Sequence, residues 1–399
     1  MIKFRTNGIK LVMLCLSGVL INPALAELTH KLNGAISFEA GIPHYQFKQG
    51  SNSVLLYSEG SVNLAIQNKT EDNERISYGG KIVLNTTTKS KSAASLNGSR
   101  IFIKSKIGLM EFGSQHSIAK VMQVNPKTCG AMGMWSRYVK FPQNYYFTAG
   151  SSLPIENFTT NAVGYAGTES VRKISYYTPE YHGIKLGVSY IPDTSNSTGK
   201  VGDNTTTKAT IIKLPGSMNR YIEYKRVVTD AWVGGINYKH DFESGSSIKL
   251  GAVIEYGNAL PMKMYNDPEC KNKIDDVIRV KDVLAYSVGV SLSKDSIHCG
   301  ISYSTWGESF FSNEIITKPK SNSWSIGLAY IKAPIGVSIE WAHSIYGDNC
   351  MHAITFGSDY KLAEGLSTYF DLSYFIAKGR QVLLDNNAQQ IQTASYDNK

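Results

Sequence analysis

From residue 231 onward the chain alternates apolar and polar side chains in stretches of about ten residues, joined in turn by short connections and long polar loops. One parity reads Ile248, Leu250, Ala252, Ile254 and Tyr256, then Tyr286, Val288, Val290 and Leu292. It continues through Val337, Ile339 and Trp341 to Phe370, Leu372, Tyr374 and Ile376. The other parity carries Lys249, Gly251, Glu255, Ser287, Gly289, Ser291, Asp371 and Ser373. A period of two residues is that of a strand with unlike faces. The asymmetry of the connections decides between architectures. A soluble sandwich has loops of mixed length at both ends, whereas a membrane barrel has short turns at one rim and long loops at the other.

The strands predicted in the second half form hairpins: Ala231–His240 with Ser247–Tyr256, Val283–Leu292 with Ile297–Trp306, Trp324–Ile331 with Gly336–Ile345, and Ala353–Tyr360 with Leu366–Ile376. The first half adds Asn33–Ile42, Ser61–Asn68, Arg75–Asn85, Arg100–Lys106, Leu109–Ser114, Val171–Thr178 and Ile184–Ile191. That makes fifteen strands. A closed bacterial barrel has an even number, so the tail 377–399 must supply another, and Gln389–Tyr396 is the candidate. The expected fold is an all-β, transmembrane, antiparallel up-and-down barrel of about 16 strands over residues 27–399. No apolar run of helix-spanning length follows residue 26, and a barrel strand needs only every second residue apolar. Tyr and Trp recur near strand ends, at Tyr78, Tyr190, Tyr238, Tyr256, Tyr303, Trp306, Trp324, Tyr330, Trp341 and Tyr360. Amphipathic rings at that position suit the two membrane interfaces.

Residues 1–26 read as a secretory signal. Lys3, Arg5 and Lys10 form a basic head, Ile9–Ile21 is mostly apolar, and Ala24-Leu25-Ala26 has the small-x-small form of a cleavage site. Those three cations belong to the net +9, which leaves +6 from residue 27 onward. The bases are dispersed and the chain is read as exported, so nucleic acid is not an expected partner. Beyond the signal, the cysteines are Cys129, Cys270, Cys299 and Cys350, with no CxxC spacing. Cys129, Cys270 and Cys350 are read as loop residues open to pairing, and Cys299 as a small outward hydrophobe.

Between two hairpins lies the long insert 115–170. An unstructured segment of that length in a compact domain is usually functional. Here it reads as a loop folded into a hollow, narrowing a channel.

Three stretches resemble the general porins of Gram-negative outer membranes, the sixteen-stranded trimeric class. IFIKSKIGLMEFGSQHS (Ile101–Ser117) is similar to the family's strand, glycine turn, FG strand and following loop. KISYYTPEYHGIKLGVSYIPD (Lys173–Asp193) resembles the segment after that loop, and FGSDYKLAEGLSTYFDL (Phe356–Leu372) the penultimate hairpin. The resemblance implies a homotrimer in the lipid bilayer and a water-filled channel for small hydrophilic solutes and ions. It implies that the third external loop, here 115–170, forms the constriction. This chain ends Tyr396-Asp397-Asn398-Lys399, where family members commonly end in an aromatic residue. Their constriction loop is often acidic, whereas this one carries Lys120, Lys127, Arg137 and Lys140 against Glu156 and Glu169.

Arg75, Lys81, Arg100, Lys104 and Lys106 share the polar parity of consecutive strands. With strands about 4.8 Å apart they form a basic pore wall, and anions are favoured in such a passage. The competing reading is lysines filling a solvated polar face. Lys173, Lys185, Lys239 and Lys249 share the parity but are dispersed, and are read as solvated wall. The eight histidines fall in no HExxH, and no GxSxG elbow or phosphate-cradling glycine loop is present, so no enzyme, cofactor or metal is expected. Passive diffusion with a mild anion preference leads. A barrel-anchored adhesin working through the loop Asp193–Thr229 is the alternative, and a barrel enzyme ranks behind both.

Overall fold

A computed structural model describes residues 29–41, 55–69, 76–87, 95–130, 171–194, 210–213, 221–224, 227–265, 276–309, 321–346, 349–384 and 390–398. The signal 1–26, Arg75, Arg137, Lys140, Glu156, Glu169 and Cys270 lie outside these residues.

In chain order the elements are β1 (Thr29–Gly41), β2 (Leu55–Lys69), β3 (Ser77–Thr87), β4 (Ser95–Ser105), β5 (Gly108–Ser114), α1 (Ile118–Met122), β6 (Arg172–Tyr177) and β7 (Ile184–Asp193). There follow β8 (Thr210–Lys213), β9 (Tyr221–Tyr224), β10 (Val228–Asp241), β11 (Ser246–Ala259), β12 (Met262–Tyr265), β13 (Asp276–Ile278) and β14 (Val283–Lys294). The last are β15 (Ile297–Thr305), β16 (Ser321–Lys332), β17 (Ile335–Tyr346), β18 (Asn349–Ala363), β19 (Leu366–Leu384) and β20 (Gln390–Asn398).

Sixteen of these strands form one antiparallel up-and-down sheet in which neighbours in sequence are neighbours in space, with β8, β9, β12 and β13 set apart. The sixteenth strand is β20, at the place the tail suggested, and it pairs with the distal part of β19 from Ala377 to Leu384. At the other end of β19 the Tyr369 hydroxyl donates to the Phe38 carbonyl of β1, a contact between the two ends of the sheet. β8 and β9 arise in one long loop, β12 and β13 in another, and the pairing of β9 with β12 joins them into a four-stranded sheet. Asp193–Thr229, expected to be loop throughout, thus contains two short strands. Strands of three or four residues leave too little period to be read.

The outward parity is apolar and bare. Ile36, Phe38, Ile101, Ile254, Leu328, Ile339 and Leu372 are exposed, Ile36 to 91%. Exposure on this scale along the described outward faces is the surface of a body solvated by lipid, not water. Near the long-loop rim the register sets Tyr303 beside Trp324, with rings 4.5 Å apart, and Trp232 beside Tyr190 at 4.9 Å. Tyr238, Tyr330 and Tyr360 stand near the short-turn rim. Trp306 departs from the belt: it is buried with Val283, Ala285 and Val228. It follows the last residue of β15 and so is no longer bound to that strand's alternation. Cys350 lies in β18, because the β17–β18 connection is shorter than its polar residues suggested.

The inward parity is not uniformly polar. Ile191, Val228, Ala231, Val233, Val253, Val283 and Ala285 point inward from β7, β10, β11 and β14, and all are buried. Interspersed with the buried Ser189, Glu255 and Ser287, they make much of this wall apolar on its inner face as well, and what covers it is the long loop.

Candidate functional site

The loop after β5 enters the barrel as QHSIAKVMQVNPKTC. Ser117 caps α1 by accepting a hydrogen bond from the Ala119 N–H at 3.1 Å. This one turn presents Ile118, Ala119 and Met122 to the apolar wall, where each is at most 1% exposed. Burying side chains of the size of Ile118 and Met122 contributes about 1.5–3 kcal/mol each. Beyond the helix the chain is extended, and Val124, Pro126 and Cys129 keep the buried side, while Lys127 and, from the helix itself, Lys120 and Val121 face the lumen.

The strap lies on a band of wall glycines. Met122 sits over Gly187 and Gly235, Val124 over Gly251 and Gly289, Pro126 over Gly300 and Gly327, and Cys129 over Gly336. A Cβ on Gly300 would meet the Pro126 Cα at 2.9 Å, and one on Gly289 would run into the Val124 carbonyl. Neither glycine has an unusual φ. Each is needed because main chain packs on main chain there.

Polar anchors hold both ends. The buried Lys173 ammonium donates to the Gln115 carbonyl at 2.6 Å, and the Gln115 amide donates to Ser175 Oγ at 2.9 Å. The Ser117 hydroxyl donates to the buried Glu255 carboxylate at 3.4 Å, and Asn237 Nδ2 donates to the Met122 carbonyl. At the far end the Cys129 N–H donates to Ser338 Oγ at 2.8 Å and the Gly130 N–H to Asp359 Oδ1 at 2.6 Å. The strap is thus tied from β6 to β18. Lys173, expected to be solvated wall, is an anchor 3% exposed. Burial and the nearby Asp359 carboxylate raise the pKa of the Cys129 thiol.

Opposite the strap, the register aligns inward cations. Lys31 pairs with Ala65, Ala65 with Lys81, Lys81 with Arg100, Arg100 with Gly113, and Gly113 with Lys173. Lys81 and Arg100 are therefore directly opposed on adjacent strands, as the alternation suggested. Lys104 shares the inward parity four residues nearer the short turn and is exposed. Lys106 does not: β4 ends at Ser105, and Lys106 sits in the turn, where strand alternation no longer governs direction. Lys31 was missed because the first strand begins at Thr29, earlier than its apolar residues indicate. Arg100 is partly neutralised, its Nε lying 2.9 Å from Glu111 Oε1, with side chains 28% and 8% exposed. Glu111 carried no signal, since a lone carboxylate in a polar register reads as wall. Lys185 Nζ lies 5.2 Å above the Tyr177 ring, a cation–π contact.

The lumen is therefore bounded on one side by Lys31, Lys81, Arg100 and Lys104, and on the other by the solvated edge of the strap with Lys120 and Lys127. Glu340, Asp359 and Asp371 have the inward parity of β17–β19, and Asp359 is engaged at the strap's end. A passage of this kind can discriminate by size and charge.

A family model for Gram-negative porins matches residues 18–380. An uncharacterized protein of Rickettsia bellii is 28% identical over 382 residues, spanning 88% of this chain and 87% of its own. One of Rickettsia felis is 27% identical over 352 residues, covering 82% of this chain and 79% of its own. Among solved structures, a mutant of Rh. blastica porin is 13% identical with a TM-score of 0.48, covering 93% of this chain and 98% of that one. OmpT, an outer membrane protein of Vibrio cholerae in its trimer form, is 11% identical with a TM-score of 0.49, covering 94% and 96%. The family match spans nearly the whole sixteen-stranded sheet and its inner strap, and on it the chain belongs to the Gram-negative porin family, whose members are outer-membrane channels.

Proposed function

We propose that this channel passes small hydrophilic solutes and ions by passive diffusion and favours anions. The observation that carries the reading is the direct opposition of Lys81 and Arg100 on adjacent strands, continued by Lys31 and Lys104 and faced by Lys120 and Lys127. Cations on both sides of a confined passage lower the energy of an entering anion and raise that of a cation. The secretory signal is removed after Ala26, on its Ala24-Leu25-Ala26 form, and three chains assemble in the membrane, as the family resemblance implies.

The test is the reversal potential of the refolded protein in a planar bilayer under a KCl gradient. A permeability ratio above one for chloride is expected. Replacing Lys81, Lys104 and Lys127 together by Glu leaves the Arg100–Glu111 pair in place and should invert the preference. A sealed barrel, or a ratio indifferent to all three changes, would end the proposal. N-terminal sequencing of the membrane-inserted protein and sedimentation in detergent read the cleavage site and the subunit number.

One observation favours a second reading, surface binding by the external loops. The loops carrying β8–β9 and β12–β13 pair with each other rather than remaining independent. Deleting 210–224 and 262–278 should leave conductance intact, and would abolish attachment of whole cells to host surfaces if the sheet is an adhesive element.

A further inference from the structure

We propose that His343 and His352 form a two-imidazole chelate for a zinc-class divalent cation, on the outward face of the β17–β18 hairpin near the long-loop rim. The two residues are directly opposed in the β17–β18 ladder. Their rings stack with centroids 4.3 Å apart and planes 25° apart, and His352 is exposed. They stand three residues from the strand ends, Tyr346 and Asn349. Trp341 lies 6.0 Å from one ring and 6.5 Å from the other, and Trp324 is the register partner of His343 on β16.

The argument is one of preorganisation. A paired ladder holds opposed Cβ atoms about 5 Å apart. From there each ring must turn about its Cβ–Cγ bond out of the stack, which brings one nitrogen of each toward a common point about 2 Å from both, the length of a zinc–imidazole bond. The sheet has already fixed the backbone, so a metal meets two donors whose approach costs little further entropy. Imidazole suits zinc, nickel and copper, whereas calcium and magnesium take oxygen donors. Among the described side chains no group of three or more His, Cys, Asp or Glu comes together. The remaining positions are therefore assigned to water from the membrane interface, which makes the site open and exchangeable rather than structural. An aromatic belt needs only one amphipathic ring per strand. Two imidazoles in register provide a second capability that Tyr or Trp at the same places would lack.

The experiment uses the refolded, full-length barrel in detergent micelles. Zinc is titrated by calorimetry at pH 7.5, and nickel by quenching of tryptophan fluorescence, which Trp341 and Trp324 are placed to report. One saturable site per chain is expected, together with a zinc-dependent rise in the thermal midpoint, because a ligand that binds only the folded ladder stabilises it. His343→Ala and His352→Ala should each weaken binding at least tenfold and remove the thermal shift. His298→Ala, on β15, should titrate as the parent does. Circular dichroism of each variant verifies that the barrel is intact, and where an alanine variant misfolds the Gln variant replaces it. Absence of a saturable site in the parent protein, or equal zinc affinity in parent and both histidine variants, would overturn the proposal.

Discussion

Gly289 shows how narrowly one position can be constrained without any unusual backbone angle. Its missing side chain lets the Val124 carbonyl lie on the wall, so Gly289→Val must push the strap into the lumen or distort β14. Overpacking of this kind costs about 1–3 kcal/mol. The expected outcome is a lower thermal midpoint and a smaller single-channel conductance. Gly80→Ala, whose added Cβ would meet nothing closer than 3.6 Å, should change neither. Cys129 gives a second residue-level expectation. With its thiol pKa raised by burial and Asp359, the folded protein keeps this proton at pH values where the unfolded chain loses it. Stability from this group is therefore intact below the ordinary thiol pKa of about 8.5 and falls as pH rises above it. Labelling by a thiol reagent should be slow at pH 7.5 and accelerate only well above that window, whereas an ordinary exposed thiol would react readily throughout.

The strap behaves as an element although it contains a single helical turn. Gln115 to Gly130 is sixteen residues, an extended reach of about 55 Å. The eight inter-strand steps from β6 to β18 in sheet order need about 38 Å of wall at about 4.8 Å each. The strap is long enough to follow the wall with a turn of helix included, and its contacts show that it does. Its two kinds of attachment should fail differently. Met122→Ala opens a cavity against Gly187 and Gly235, and truncations of that type cost about 2–5 kcal/mol. The expected result is a less stable channel with noisy current. Lys173→Met removes a charged donor from the Gln115 carbonyl, worth about 1.5–3 kcal/mol. Because it frees only the entry of the strap, flickering between conductance levels is expected with the thermal midpoint less affected than in Met122→Ala.

Taken as a cylinder in lipid, the molecule has two environments outside and two inside. The outward residues meet acyl chains between aromatic belts, while the inner wall divides into an apolar sector under the strap and a charged sector open to water. Opposing Lys81 and Arg100 across one strand spacing is tolerable only because the lumen is wet and Glu111 neutralises part of the charge. The proposed anion preference should therefore depend on ionic strength. The screening length shortens from about 10 Å at 0.1 M salt to about 3 Å at 1 M. Reversal potentials should show the strongest selectivity in dilute KCl and a ratio approaching one in concentrated KCl. A ratio independent of salt would assign selectivity to a dehydrated contact instead of to the field of the wall.

The alternation of side chains was enough to establish strands, the outward face and the order of the hairpins, because each depends on residues next to or two apart from one another; the sixteenth strand followed instead from the even number that a closed barrel requires. Alternation also placed Lys81, Arg100 and Lys104 on the inward face. The strap's path was not, since the glycines at 187, 235, 251, 289, 300 and 327 gain their meaning only when register lines them up beneath a segment remote in sequence. The inward valines of β10 and β11 belong to the same class: alternation marks them as lumenal, and only the packed loop explains why they are apolar. Lys106, Cys350 and Trp306 went astray where strand ends are set by turn geometry and loop packing rather than by local period. Local chemistry specifies which way a side chain points in a strand, but what it meets there depends on contacts that only the closed-up chain creates.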